Sequence, residues 1–302
     1  MNKKLFLHIG AHKTASSLLQ TALKSNQEVL KKNQLDVVFR AQVINTKFQA
    51  LLDLLSKGET VNPQELQASL KEVLSSKTLD KCLVTNEDLF SSIKINDFYQ
   101  NIKYSLANLK AVAKDCDIKV ILYVRNQADY VESVYTQYIH LGRPISFDEY
   151  RSLGNFENLS WYRVVCDIAE AVGKENVIVK PFETLKHVSA DDFFRDFMST
   201  IEVANLEGLV WPSNIETSRG ANRSYSKLAI EIANLVNPLL DKKERQLLRK
   251  FLQENFSTAT HERAQFLSLE EREELKKIHS SDNKKLFEIY IPKQNGKLLG
   301  YF

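Results

Sequence analysis

The sequence predicts an α/β fold: a P-loop-like, mainly parallel sheet flanked by helices, with a helical C-terminal portion. Three observations predict it. Short apolar, β-rich runs alternate with helical periodicity through the first part of the chain. One of these runs, I-K-V-I-L-Y-V at 118–124, is almost wholly apolar, as a central strand covered on both faces requires. Toward the end of the chain helical patterns predominate.

Residues 5–9 form the first strand, running into Gly10. Leu18, Leu19, Ala22, Leu23, Val29 and Leu30 then recur at three- and four-residue spacing, the mark of an amphipathic helical stretch. Residues 36–39 and 82–85 supply the second and third strands, and 118–124 the fourth. After it, Ala128, Val131, Val134, Tyr135, Tyr138 and Ile139 share a helical face. A helix over 159–172 ends at Gly173, a natural cap, and 177–179 is the fifth strand. From 201 to 223 periodicity fades through W-P-S-N and S-R-G-A-N, which predicts a long connection or lid. Residues 224–236, 244–252 and 269–279 read as helices, and I-Y-I-P-K-Q-N-G as an edge strand and turn. The simplest division is one domain over 1–302, with a core over about 1–237 and a helical extension over about 238–302.

A chain of 302 residues with 43% hydrophobic and 26% charged residues has the composition of an ordinary globular protein. Its formal charge of +3 is too small for a protein that coats nucleic acid, yet permits one basic pocket for an anion. Cys82, Cys116 and Cys166 are odd in number and widely spaced, which argues against a disulfide scaffold and a structural zinc site. The opening M-N-K-K-L-F-L-H-I-G resembles a signal peptide's charged start, but His8 interrupts its apolar part. No run approaches the ~20 apolar residues of a membrane span. A cytoplasmic protein with no nucleic-acid partner is expected.

The most informative stretch is K-L-F-L-H-I-G-A-H-K-T-A-S-S-L-L-Q. A buried strand, a short loop and a helix start make an anion cradle, because unpaired amides and the positive helix end face the ligand. Lys13 adds a point charge, and Thr14, Ser16 and Ser17 add hydroxyls. The nucleotide P-loop G-x-x-x-x-G-K-[ST] is excluded, since His12 stands where its second glycine belongs. The alternative is a polar strand-to-helix turn in which Thr14 only caps.

This stretch resembles the opening of the bacterial sulfotransferases that use 3′-phosphoadenosine-5′-phosphosulfate (PAPS). The resemblance implies that Lys13, Thr14, Ala15, Ser16 and Ser17 form the loop gripping the 5′-phosphosulfate. Ala15 replaces the family's usual glycine, which is harmless if the residue is already helical, as we expect.

V-I-L-Y-V-R-N-Q-A-D-Y-V-E-S-V-Y adds independent support. Arg125 stands at the carboxyl end of a parallel strand, where open α/β sheets bind ligands, and Asn126 is a plausible N-cap with Asp129 three residues on. Ser133 follows two turns into the helix. Read alone, Arg125 is a surface ion-pair residue and Ser133 a small helix contact. The arginine–serine spacing is similar to the family's 3′-phosphate site, which implies that role for both. Looser matches run through V-I-V-K-P-F-E-T-L to R-G-A-N-R-S-Y-S. They imply that Arg219 and Gly220 reach the 3′-phosphate, with Arg223 as the alternative basic residue.

Sulfuryl transfer needs an in-line acceptor oxygen, stabilisation of the leaving phosphate and a base. Glu87 in C-L-V-T-N-E-D-L-F follows a strand directly and is the preferred base, beside the alternative of a helix-start acid. His12 is the second candidate and His140 the third. No metal site is expected. The leading expectation is a PAPS-dependent transfer to a hydroxyl, which the resemblance places on a carbohydrate or glycolipid. An ATP-dependent kinase and a non-catalytic binder of adenosine 3′,5′-bisphosphate (PAP) are the alternatives. Acceptor-pocket loops are expected at 39–62, 142–155 and 201–223, with Tyr138, Trp161 and Trp211 available to stack on a sugar or to pack in the core.

Overall fold

The computed structural model describes residues 3–215 and 224–302. Five strands, β1 (Lys3–His8), β2 (Leu35–Phe39), β3 (Lys81–Thr85), β4 (Cys116–Val124) and β5 (Val177–Pro181), form one sheet in the order β2-β3-β1-β4-β5. Every neighbouring pair is parallel. Each strand lies on one of the runs read from the sequence.

The sheet is covered on both faces. Phe6 of β1 and Ile121 and Tyr123 of β4 point to α1 (Ser16–Ser25) and α2 (Gln27–Lys32), packing with Leu19, Leu23 and Leu30. The alternate residues, Leu5, Leu7, Val120 and Leu122, point to the opposite core. That second core is lined by α3 (Lys47–Ser56), α4 (Pro63–Leu74), α5 (Ile102–Val112), α6 (Gln127–His140), α7 (Phe147–Ser152) and α8 (Trp161–Val172). After β5, α9 (Ala190–Thr200) returns to the first face through Phe193, Phe194 and Phe197.

The last helices are α10 (Lys227–Val236), α11 (Lys242–Asn255) and α12 (Leu269–Tyr290). Ala229, Ile230, Leu252, Leu275 and Leu286 place all three on the second core, so the C-terminal part shares the core beneath the sheet. An antiparallel bridge between Tyr225 and Ser257 closes α10 and α11 into a hairpin.

Three expectations are corrected. Residues 39–62 are not a loop, since they contain α3, and 142–155 contain α7, started by a Ser146–Glu149 capping box. I-Y-I-P-K-Q-N-G forms no strand: α12 runs on through Tyr290 because Leu286 and Phe287 keep its apolar face on the core. Among the described residues, no helix is long and apolar enough to cross a membrane.

Candidate functional site

From β1 the chain passes to β2 and β3 on one side, then crosses to β4 on the other. The crevice at such a reversal, outside the carboxyl strand ends, is where open parallel sheets bind ligands. A cavity of about 680 Å³ opens there. Lys13, Ala15, Ser16, Ser17, Arg125 and Ser133 line it together with Glu87, His12 and His140.

The loop after β1 is shaped by close approach. A methyl group on Gly10 would stand 2.9 Å from Ser16 Oγ and 3.1 Å from His8 Nε2, so glycine lets the strand end meet the helix start. Lys13 and Ala15 are both left-handed, with φ of 67° and 66°. The expectation that Ala15 is already helical is therefore wrong: it is the N-cap of α1, where an L-residue is strained by about 1–2 kcal/mol.

Side chains draw the loop's carbonyls back into the protein. Tyr99 Oη donates to Gly10 C=O at 2.9 Å, and Thr14 Oγ1 to Ala11 C=O at 2.6 Å. Arg125 Nη1 donates to Lys13 C=O at 2.9 Å. Among the described residues no side chain caps α1 and no acidic residue occupies its first turn, which leaves its leading amides and positive end to an anion. Thr14 corrects a second expectation. It is fully buried, lies off the cavity, and spends its hydroxyl proton on Ala11, so it braces the loop instead of facing a ligand.

Lys13 Nζ donates to Gln137 Oε1 at 3.3 Å. Burial, with Arg125 and Arg249 nearby, pushes its pKa down to about 8. Arg125 is itself buried at the end of β4, its guanidinium 4.8 Å from the centre of the Phe182 ring. Burial lowers its pKa, against the pull of Asp129 and Glu183. Trp161 Nε1 donates to its carbonyl at 2.6 Å, and its own Nε has no partner among the described residues. Asn126 caps α6 by accepting from the Asp129 amide at 3.0 Å, and the helix carries Ser133, Thr136 and Gln137 along the cavity wall.

The β3 end supplies the acids. Glu87 sits in a turn, not at a helix start, and accepts from Gln20 Nε2 at 3.0 Å. Asp88 pairs with Arg40 and stands 3.5 Å from Nε2 of the buried His12. His140 ends α6 with its ring edge on Tyr225. Burial, Lys13 and Arg249 hold its pKa well below the usual histidine range, so it is neutral.

The expected stacking aromatics are elsewhere. Tyr138 and Trp161 are buried in the core, and Trp211 covers the Arg195 guanidinium at 4.3 Å. The cavity aromatics are Phe182 and Tyr225. Of the expected acceptor loops, 39–62 contributes Arg40, whereas 142–155 and the described part of 201–223 contribute nothing to the wall. Arg219, Gly220 and Arg223 lie outside the described residues. Sequence reasoning missed Arg40, Gln137, Arg249 and Arg263; the last two come from a part of the chain with no motif to mark them.

No protein-family model and no curated protein matches the chain. Among solved structures, the crystal structure of a sulfotransferase from Alicyclobacillus acidocaldarius is similar, with 13% identity over 96% of each chain and a TM-score of 0.52. At that identity the likeness is one of fold, and it extends over nearly the whole of both molecules.

Proposed function

We propose that this protein is a PAPS-dependent sulfotransferase acting on a hydroxyl of a small-molecule or glycan acceptor. The observation that carries this reading is the convergence of Lys13 and Arg125. Two neighbouring strands bring these cations to one cavity, with Arg125 Nη1 2.9 Å from the Lys13 carbonyl. PAPS carries two separated anionic groups, and the cavity offers a cation for each beside the uncapped helix start. At about 680 Å³ the space suits a nucleotide-sized ligand. Ser16 Oγ and Arg125 Nε, buried without partners among the described residues, fit as donors to its phosphates.

In this reading Lys13, Ser16, Ser17 and the amides at Ala15 and beyond hold the 5′-phosphosulfate. Arg125 and Ser133 hold the 3′-phosphate, with Arg219 and Gly220 proposed there on the sequence resemblance. The acceptor oxygen attacks sulfur in line as the bond from sulfur to the 5′-phosphate oxygen breaks, and PAP leaves with that electron pair. Lys13 stabilises the charge that develops on the leaving oxygen. The acceptor proton passes to Glu87, which lines the cavity beside the loop. His12, close to Asp88, is the second choice; His140, depressed by burial and by two cations, is a poor base. Arg40, Asp88 and His12 give this end the hydrogen-bonding character that a polyhydroxylated acceptor needs.

A thermal-shift titration tests the reading against phosphoryl transfer. PAP without magnesium should stabilise the protein by about 2.7 kcal/mol at a hundredfold excess over its Kd, and more than ATP with magnesium at equal concentration. The reverse ranking overturns the proposal.

A further inference from the structure

Two arginines from the C-terminal part of the chain reach the cavity: Arg249 on α11, and Arg263 between α11 and α12. Of the other arginines, Arg40 on the cavity wall is paired with Asp88, and Arg272, outside the wall, with Asp129 and Glu132. Neither Arg249 nor Arg263 forms an ion pair among the described residues. Their surroundings separate them along α6: the Tyr225–Ser257 bridge beside α11 lies on His140, near the Gln137 that meets Lys13, whereas the segment after Arg263 is tied to Glu132, nearer the Arg125 end. Arg249 is close enough to Lys13 and His140 to depress the pKa of both, whereas Arg263 acts on Arg125. The Arg263 segment is fixed there because Glu132 Oε1 on α6 accepts from the amides of Phe266 and Leu267 at 2.8 and 3.1 Å.

Cations crowded together without counter-charges cost Coulomb energy, and a site that gathers them is arranged for a charge from outside. A phosphate monoester carries about −1.5 to −2 at neutral pH, and a phosphosulfate about as much, so Lys13 and Arg125, each taken alone, leave part of the ligand's charge unmatched.

We infer that Arg249 and Arg263 are further cations of the two phosphate subsites, Arg249 joining Lys13 at the 5′-phosphosulfate and Arg263 joining Arg125 at the 3′-phosphate. The inference rests on the PAPS reading and assigns to the C-terminal helices the completion of that site. Arg249 then stabilises the leaving 5′-phosphate as the sulfur–oxygen bond breaks, while Arg263 contributes to binding alone.

Calorimetric titration, direct or in competition with PAP, tests the assignment with PAP, adenosine 5′-monophosphate and adenosine 3′-monophosphate. Arg249→Gln should weaken PAP and the 5′-monophosphate by about ten- to a hundredfold, as for a lost hydrogen bond between charged groups, and leave the 3′-monophosphate unchanged. Arg263→Gln should do the converse, with Arg263→Lys recovering part of the loss. Melting temperatures of the free variants should match or exceed the wild type, since neither arginine has an ion-pair partner among the described residues and its removal relieves repulsion between cations. PAP affinities within twofold of wild type in both variants overturn the inference while leaving the PAPS reading intact. An equal loss for both mononucleotides, or the reversed pattern, also overturns it. Failure of the wild-type protein to bind PAP removes the reading beneath it.

Discussion

In the proposed reading, Lys13 carries most of the chemistry of the site. It is held left-handed at the tip of the loop, and its ammonium is made costly by burial and two arginines, which bring its pKa to about 8. An anionic ligand favours the charged form, so the bound pKa rises above the free one and binding takes up a proton above pH 8. PAP affinity should therefore be nearly level between about pH 7 and 7.5 and fall as pH rises past 8, approaching tenfold per unit. Calorimetry from pH 7 to 9.5 measures this, and Lys13→Ala should abolish the trend along with most of the turnover. A flat profile in the wild type would mean that Lys13 does not face the anion. Glu87 makes a second prediction. If it takes the acceptor proton, Glu87→Gln lowers kcat about 10²- to 10⁴-fold. Unchanged turnover would move the role to His12.

At the scale of elements, the loop and α1 act as one unit: Gly10 permits the approach, three side chains hold back the carbonyls, and an uncapped helix start is left to the ligand. Ala15 is the strained joint, at φ 66° and ψ 17°. Ala15→Gly relieves the strain but loosens the unfolded chain, so a net gain of about 0.5–1 kcal/mol is expected in urea denaturation, with PAP binding retained. A loss of stability would mean that the left-handed turn is not kept in solution. The turn was not legible in the sequence because alanine carries no signal for positive φ; only the glycine customary at that position hinted at it. The caps were plainer. Asn126 with Asp129 starts α6 as expected, whereas Ser160 caps α8 inside the stretch read as helix from 159 and was not singled out. Asn62 followed by Pro63 starts α4 by the same rules, a signal present in the chain but passed over.

At the scale of the whole molecule, the five strands follow directly from apolar runs, because a sheet buried on both faces leaves little choice of residue. Lys13, Arg125, Ser133 and Glu87 were legible because each lies just beyond a strand end or along the helix that follows it, so topology alone gathers them. Arg249 and Arg263 were not. They come from helices whose place is set by long-range packing of Leu252, Leu275 and Leu286 on the core, which no local pattern encodes. The acceptor end was likewise hidden, since Tyr138 and Trp161 are equally good core residues and became so. The central claim is that β1 and β4 grip the two ends of one nucleotide, and a crystal structure with PAP tests it most directly. The account predicts the 5′-phosphate on Lys13 and the α1 amides, and the 3′-phosphate on Arg125 and Ser133. PAP bound outside this cavity, or with both phosphates at one of the two cations, would contradict it.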